Sequence, residues 1–389
     1  MDRERMNARP DWEKRCAEVG FDFYNLTSSD GTPYWTEKAA YRFTAQQIDA
    51  IEEATNTLHG MCLSLVESIV TSGDYPAEYA LTDAAKTLIE SSWRAKEPSL
   101  YGRFDLAYNG ETIKMLEYNA DTPTSLLEAS VAQWHWLKDR ELPDQFNSIH
   151  ERLIAQWKKI GQTIAVMPRI HFTGTEMGGR EDWGTIEYLM DVAMQAGIEV
   201  SEIPIEQIGW DADKQAFIDL NEKMITACFK LYPWEWLASD EFGKGIAASH
   251  VRLIEPAWKM LLSSKALLPV LWKRHENHPL LLPAIFDTGN SRPAWGRWAH
   301  KPILSREGAN VSLVSSGTTY TPSGSDFNPM YDKSGYVFQQ WIDIPSFDGF
   351  HPVIGSWIVG EESAGIGIRE DKSTVTGNNS HFVPHYFTE

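Results

Sequence analysis

Two pairs of polar side chains, Arg103 with Asp105 and Glu117 with Asn119, are each spaced two residues apart within residues 101–124. Residues i and i+2 of a β-strand project to the same face, so each pair points one way. Between the pairs lies Asn109-Gly110, the strongest short signal for a hairpin. A hairpin folded there gathers all four side chains on one face: one cation beside three oxygen donors of the hard type that suits Mg²⁺. A solvated hairpin face with cross-strand ion pairs is the simpler account, and spacing alone favours it.

Other residues are also hard to explain as packing. Lys265 precedes an apolar stretch. Lys301 stands before Pro302 and a small polar loop at 305–312 that contains Gly308. Backbone N–H groups of such a loop can wrap phosphate oxygens, with a lysine supplying a point charge. Phe338-Gln339-Gln340-Trp341 has extended character and could pair its backbone with an adenine edge, and a glycine-softened strand at 360–369 ends in Arg369. Each has a plain structural reading when taken singly. The Gly-rich turn at 174–182 lacks both the GxGxxG spacing and a GK[ST] ending, and its acid content argues against a phosphate.

The elements that must position these residues are legible in part. Ile48, Ile51, Leu58, Met61, Leu65 and Ile69 recur at helical spacing after a start signal at Thr44, and a second helix is expected over 82–94. Residues 125–137 and 149–162 read as helices. Residues 169–173, 182–196 and 198–203 read as strand, helix and strand, a parallel α/β unit. The last third is rich in glycine, β-branched and aromatic residues and reads as a mixed sheet. Tyr34-Trp35, Trp93, Trp134 and Trp136 read as anchors to the core.

Composition limits the function. With 42% hydrophobic residues, the 389-residue chain can bury a substantial core. A formal charge of −19, without a Lys/Arg run, argues against nucleic acid and anionic membranes as partners. Cys16, Cys62 and Cys228 form neither a disulfide framework nor a CxxC metal site. The charged N-terminus lacks the apolar region of a signal peptide, and no apolar run is long enough for a membrane span. A cytoplasmic protein is expected.

The order of the motifs says more than any one of them. Arg-x-Asp, Glu-x-Asn, Lys, Lys-Pro before a loop, Gln-Gln and Gly-x-Gly-x-Arg follow one another along the chain. In this the sequence resembles the synthetase domain of the glutathionylspermidine synthetase family, an ATP-grasp-type group of carboxylate–amine ligases, most closely its short bacterial members. The resemblance covers residues 10–389 and is most specific at RFD, LEYNADTP, KALLPVLW, KPI with EGANVSLV, and GIR.

The resemblance implies a mixed α/β, ATP-grasp-like fold. Its expected parts are a helical region over 1–98, a nucleotide- and metal-binding core over 99–165 and 250–389, and an inserted parallel α/β substrate-side subdomain over 166–249. It implies ATP and two Mg²⁺ ions, with Asp105, Glu117 and Asn119 as metal ligands. Lys265, Lys301, Gly308 and Gln340 (or its neighbour Gln339) would meet the nucleotide. Arg103 and Arg369 would face the reacting phosphoryl group. The lid carries a single glycine, which implies a stiffer loop than the family's glycine-rich one.

The implied reaction is ATP-dependent amide formation between a small or short-peptide carboxylate and an amine, with a polyamine among the candidates. A phosphotransferase and a silent nucleotide-binding module are the alternatives. Bifunctional members of the family carry an additional cysteine amidase domain for which this chain has no room, and Cys16 lacks a partner histidine nearby, so no amidase activity is expected. Asp121, Glu128, Glu176 and Glu181 could receive an amine, although ordinary surface charge is the preferred reading of each.

Overall fold

The structure, a computed structural model, describes the chain except residues 28–30, 165–168, 290–291, 323–326 and 378–379. The expected boundary at 165–166 therefore lies outside the described residues. Two five-stranded antiparallel sheets carry the architecture. The first has the spatial order 381–383, 362–371, 351–359, 101–108, 113–119. The second has the order 284–286, 336–340, 297–302, 312–315, 318–320. A cavity of about 640 Å³ lies between them, lined by Arg103 and Val353 from the first sheet and by Ala299 and Leu313 from the second.

The long helix Ala45–Ser72 covers the apolar face of the first sheet. It begins with a reciprocal cap in which Thr44 Oγ1 accepts from Gln47 N–H and Gln47 Oε1 accepts from Thr44 N–H. It stops at Gly73, which adopts a left-handed φ of 71°. The six apolar positions expected to face inward are all buried. Beneath them Phe104 stacks on Tyr118 with ring centroids 3.8 Å apart. Phe104 and Leu106 thus fill the core from one face of their strand, while Arg103 and Asp105 take the other.

The parallel α/β unit is present. Arg169–Thr173 pairs in parallel with Glu199–Glu202 and Ala227–Lys230, and the helix Arg180–Gln195 crosses between the first two. This sheet continues to Arg252–Ile254. The N-terminal region also contains strands, because Asp2–Arg5 and Ala39–Thr44 join the C-terminal strand His385–Thr388 in a separate three-stranded sheet. Trp136 is fully buried and Trp93 packs edge-on against Trp258, but Trp134 is 39% exposed and anchors nothing in the core. Among the described residues no helix is long and apolar enough to cross a membrane.

Candidate active site

The hairpin forms as its sequence implies. Tyr101–Tyr108 pairs antiparallel with Ile113–Asn119, placing Arg103 opposite Asn119 and Asp105 opposite Glu117. Leu106 pairs with Met115, so Leu116 is an extra residue, a β-bulge beside the four polar positions. The bulge turns the Leu116 carbonyl to accept from Lys301 Nζ at 3.2 Å. One half of the face is buried, with Arg103 7% and Asp105 4% exposed, while Glu117 and Asn119 are half-buried. Its charges are held by one another and by groups from other parts of the chain.

Asp105 Oδ1 accepts from Arg103 Nε at 2.7 Å, and its Oδ2 lies 3.3 Å from Arg369 Nη2. Arg103 also donates to the Thr124 carbonyl at 2.8 Å. The intervening strand His351–Val359 makes room for that guanidinium at Gly355, where a Cβ would fall 2.9 Å from Arg103 Cδ. Gly355→Ala is expected to push Arg103 off Asp105 and lower kcat by about tenfold, a fraction of the 10²–10³-fold that removing one oxyanion contact costs. The Arg103→Ala variant should then hide the second substitution, an interaction that a double-mutant kinetic cycle reads.

Lys265 Nζ lies 3.2 Å from Glu117 Oε2, and Lys301 Nζ donates to Gln339 Oε1 at 2.8 Å. Burial works against charge on Glu117, but the ammonium groups of Lys265 and Lys301 outweigh it and bring the carboxyl down to about 2. Burial, helped by Lys265 and opposed by Glu117, brings the Lys301 ammonium down to about 8. Polyphosphate bound beside Lys301 would favour its charged form. Above about pH 8, binding must therefore take up a proton, and affinity falls as pH rises. Mg-ATP affinity measured by calorimetry is expected to weaken by up to about tenfold per pH unit in that range, and Lys301→Met should flatten the slope.

The donor set at the hairpin suits Mg²⁺. It consists of two carboxylates and one amide oxygen, without thiolate or imidazole. Among the described residues no separate group of three or more His, Cys, Asp or Glu side chains forms a metal cage. A site of one or two carboxylates completed by substrate phosphates is the usual arrangement for this ion.

The loop after Lys301 closes one side of the cavity. Arg306 donates to Thr122 Oγ1 and reaches Glu235 at 3.4 Å. Asn310 exchanges two hydrogen bonds with the backbone of Asn328, at 2.6 and 2.8 Å. Gly308 has a φ of 70°, and a Cβ there would stand 3.0 Å from the Thr376 carbonyl oxygen, so glycine is required. The expected backbone contact at 338–341 needs correcting. Tyr336–Gln340 lies between two other strands, and Gln340 N–H already donates to the Pro283 carbonyl. Gln339 is buried as the partner of Lys301, Gln340 is half-buried, and both line the cavity.

The opposite wall is acidic. Glu181 and Asp182, in the first turn of the helix Arg180–Gln195, line the cavity together with Glu307 of the loop. A helix N-terminus favours such carboxylates. Burial beside Glu181 and Glu307 pushes the Asp182 carboxyl up to about 6. Glu181 thus lines the cavity rather than the open surface, and no spacing rule in the sequence joins it to Glu307. Tyr34, read as a core anchor, also reaches the cavity. Asp121 is not available to a ligand: it is buried against Lys230 at 2.7 Å. Glu176 is exposed and lies outside the cavity lining. Cys16 is buried, and burial together with Glu37 pushes its thiol up to about 12, away from a nucleophilic thiolate.

Residues 3–388 match the family model for the glutathionylspermidine synthase preATP-grasp family. The chain belongs to this family. Among its relatives, a Haemophilus influenzae protein provisionally named an acid–amine ligase is 50% identical over 384 residues, 97% of each chain. Trypanothione synthetase of Crithidia fasciculata is 27% identical over 84% of this chain and 53% of its own. The bifunctional glutathionylspermidine synthetase/amidase of Escherichia coli is 25% identical over 88% of this chain and 58% of its own. The chain thus spans little more than half of these last two. A glutathione synthetase-like effector from Globodera pallida shares the fold, with a TM-score of 0.54 at 11% identity, covering 98% of this chain and 100% of that one. The fold is mixed α/β of the ATP-grasp type, and the family is one of ATP-using carbon–nitrogen ligases. Membership favours the ligase over a phosphotransferase or a silent nucleotide-binding module.

Proposed function

We propose that the protein uses ATP to activate a short-peptide carboxylate as an acyl phosphate and joins it to a polyamine or a similar amine. One observation carries this reading: a single cavity is lined by Arg103, Lys265, Lys301 and Arg369 together with Asp105 and Glu117, and also by Glu181, Asp182 and Glu307 with Arg306 beside them. The cationic wall suits the phosphates and the carboxylate. The acidic wall suits an ammonium chain.

In this reading Asp105, Glu117 and Asn119 hold Mg²⁺, which when bound neutralises charge on the transferring phosphoryl group. Lys265 and Lys301 exchange their present partners for phosphate oxygens. Gln340 borders the base. Arg369 steadies the phosphoryl group, and Arg103 orients the acceptor carboxylate and then stabilises the oxyanion as the amine attacks. The loop at 305–312, pinned by Arg306 and Asn310, keeps water from the acyl phosphate. Glu181, Asp182 and Glu307 hold the amine by charge.

The names of the relatives suggest glutathione and spermidine as the first pair to try, within a screen of small carboxylates and amines followed by ADP release. ADP should form in quantity only when acid and amine are both present. Equal ADP release without any amine would overturn the ligase reading in favour of a phosphotransferase.

A further inference from the structure

One buried carboxyl beside the cavity has no role in the chemistry so far. Glu128 is fully buried, and its Oε1 accepts from the Tyr34 hydroxyl at 2.7 Å. The Tyr34 hydroxyl also lies 3.1 Å from Ser125 Oγ, and both Tyr34 and Ser125 line the cavity. Glu128 Oε2 has no hydrogen-bond partner among the described residues, a costly state for a buried acceptor. The backbone is unusual at both ends of this short path. Ser125 holds a left-handed φ of 66°, and Glu128 opens a π-helical turn, Glu128–Ala132, ahead of the helix Gln133–Asp139. Strained φ values and π-turns cost free energy and concentrate where a side chain must be aimed.

We propose that Tyr34, Ser125 and Glu128 form a proton relay that takes the proton from the attacking amine, with Glu128 as its buried terminus. This rests on the ligase reading, in which an amine arrives as an ammonium ion and must lose a proton before it can attack. The N–H bond of the ammonium breaks and its electron pair stays on nitrogen. The proton passes to the Tyr34 hydroxyl oxygen, or reaches it through Ser125, as the proton of Tyr34 moves to the Glu128 carboxylate. Nitrogen then forms the C–N bond to the acyl carbon while the C–O bond to phosphate breaks, its electron pair leaving with phosphate. The second proton lost from nitrogen goes to that phosphate, and Glu128 returns its own proton along the relay between turnovers.

The charged surroundings of Glu128 fit such a base. Burial and the nearby Glu181 push its carboxyl up to about 8, while Arg103 opposes them and Tyr34 donates to it. A base poised near the working pH is the most effective kind.

The test has a direct arm and a kinetic arm. In infrared difference spectra of wild type minus Glu128→Gln, a protonated-carboxyl band should be present at neutral pH and vanish as pH rises through about 8. A protonated-carboxyl band that persists unchanged well above that pH would overturn the relay, whatever the substrates prove to be, because the proton-accepting carboxylate would never form. With glutathione and spermidine, Glu128→Gln should lower kcat by about 10²-fold and leave KM for ATP within about twofold. Hydroxylamine, already unprotonated at neutral pH, should react almost as well with the variant as with wild type. Tyr34→Phe should show the same contrast and serves if Glu128→Gln does not fold. Equal losses with spermidine and with hydroxylamine would mark Glu128 as structural. Failure of wild type to form any hydroxamate would count against glutathione and the ligase reading, leaving the infrared result to judge the relay.

Discussion

Asp105→Asn is expected to reduce ligase turnover by about 10³-fold or more, the upper end of what losing one transition-state contact costs. Asparagine keeps the shape of the side chain and removes its charge. Asp105 is the common partner of Arg103, at 2.7 Å, and of Arg369, at 3.3 Å. With a neutral amide there, two guanidinium groups face each other without their shared counter-ion. In the proposed reading the hairpin also loses one of its two carboxylates for Mg²⁺. Circular dichroism should show the variant folded, because the strand keeps its ladder partners on both sides. Turnover within tenfold of wild type would remove Asp105 from the metal and arginine cluster.

The largest effect on stability is expected at Lys259. Its ammonium is fully buried and donates to the carbonyls of Tyr101 at 2.7 Å and Ala120 at 2.8 Å, and it lies 3.1 Å from Glu255 Oε2. Glu255 in turn accepts from the N–H groups of Leu100 and Tyr101. One buried ion pair therefore ties the start of the first hairpin strand to the end of the second. Lys259→Met preserves much of the volume but strands a carboxylate and two carbonyls. Removing one partner of such a pair costs about 3–5 kcal/mol, and urea denaturation should show a loss of that size. Adding Glu255→Gln should recover part of it, since the uncompensated charge goes too. A loss below about 1 kcal/mol would mean that water reaches the pair.

The hairpin and the long helix were legible because their signals are local. Alternation by two, an Asn-Gly step, and apolar residues at helical spacing act within one element. The bulge at Leu116 was not legible, since it arises from the ladder and matters through Lys301, far along the chain. Strands Asp2–Arg5 and Ala39–Thr44 were missed for a similar reason: their sheet is completed by His385–Thr388. The acidic wall combines a helix N-terminus with a loop over a hundred residues later, and only the packed fold brings Glu181 and Glu307 together. Lys259 and Glu255 are spaced like an ordinary surface helix pair, and their burial comes from the sheet above them. Motif order succeeded where these signals failed, because it ties distant residues to one chemistry.

The central claim is that the carboxylate is activated by phosphorylation before the amine attacks. If so, one carboxylate oxygen must leave with the phosphate. A carboxylate substrate labelled with oxygen-18, turned over with ATP and amine, is expected to deliver one labelled oxygen into each inorganic phosphate released, read by mass spectrometry. Phosphate without label, formed at the same rate as the amide, would contradict the account.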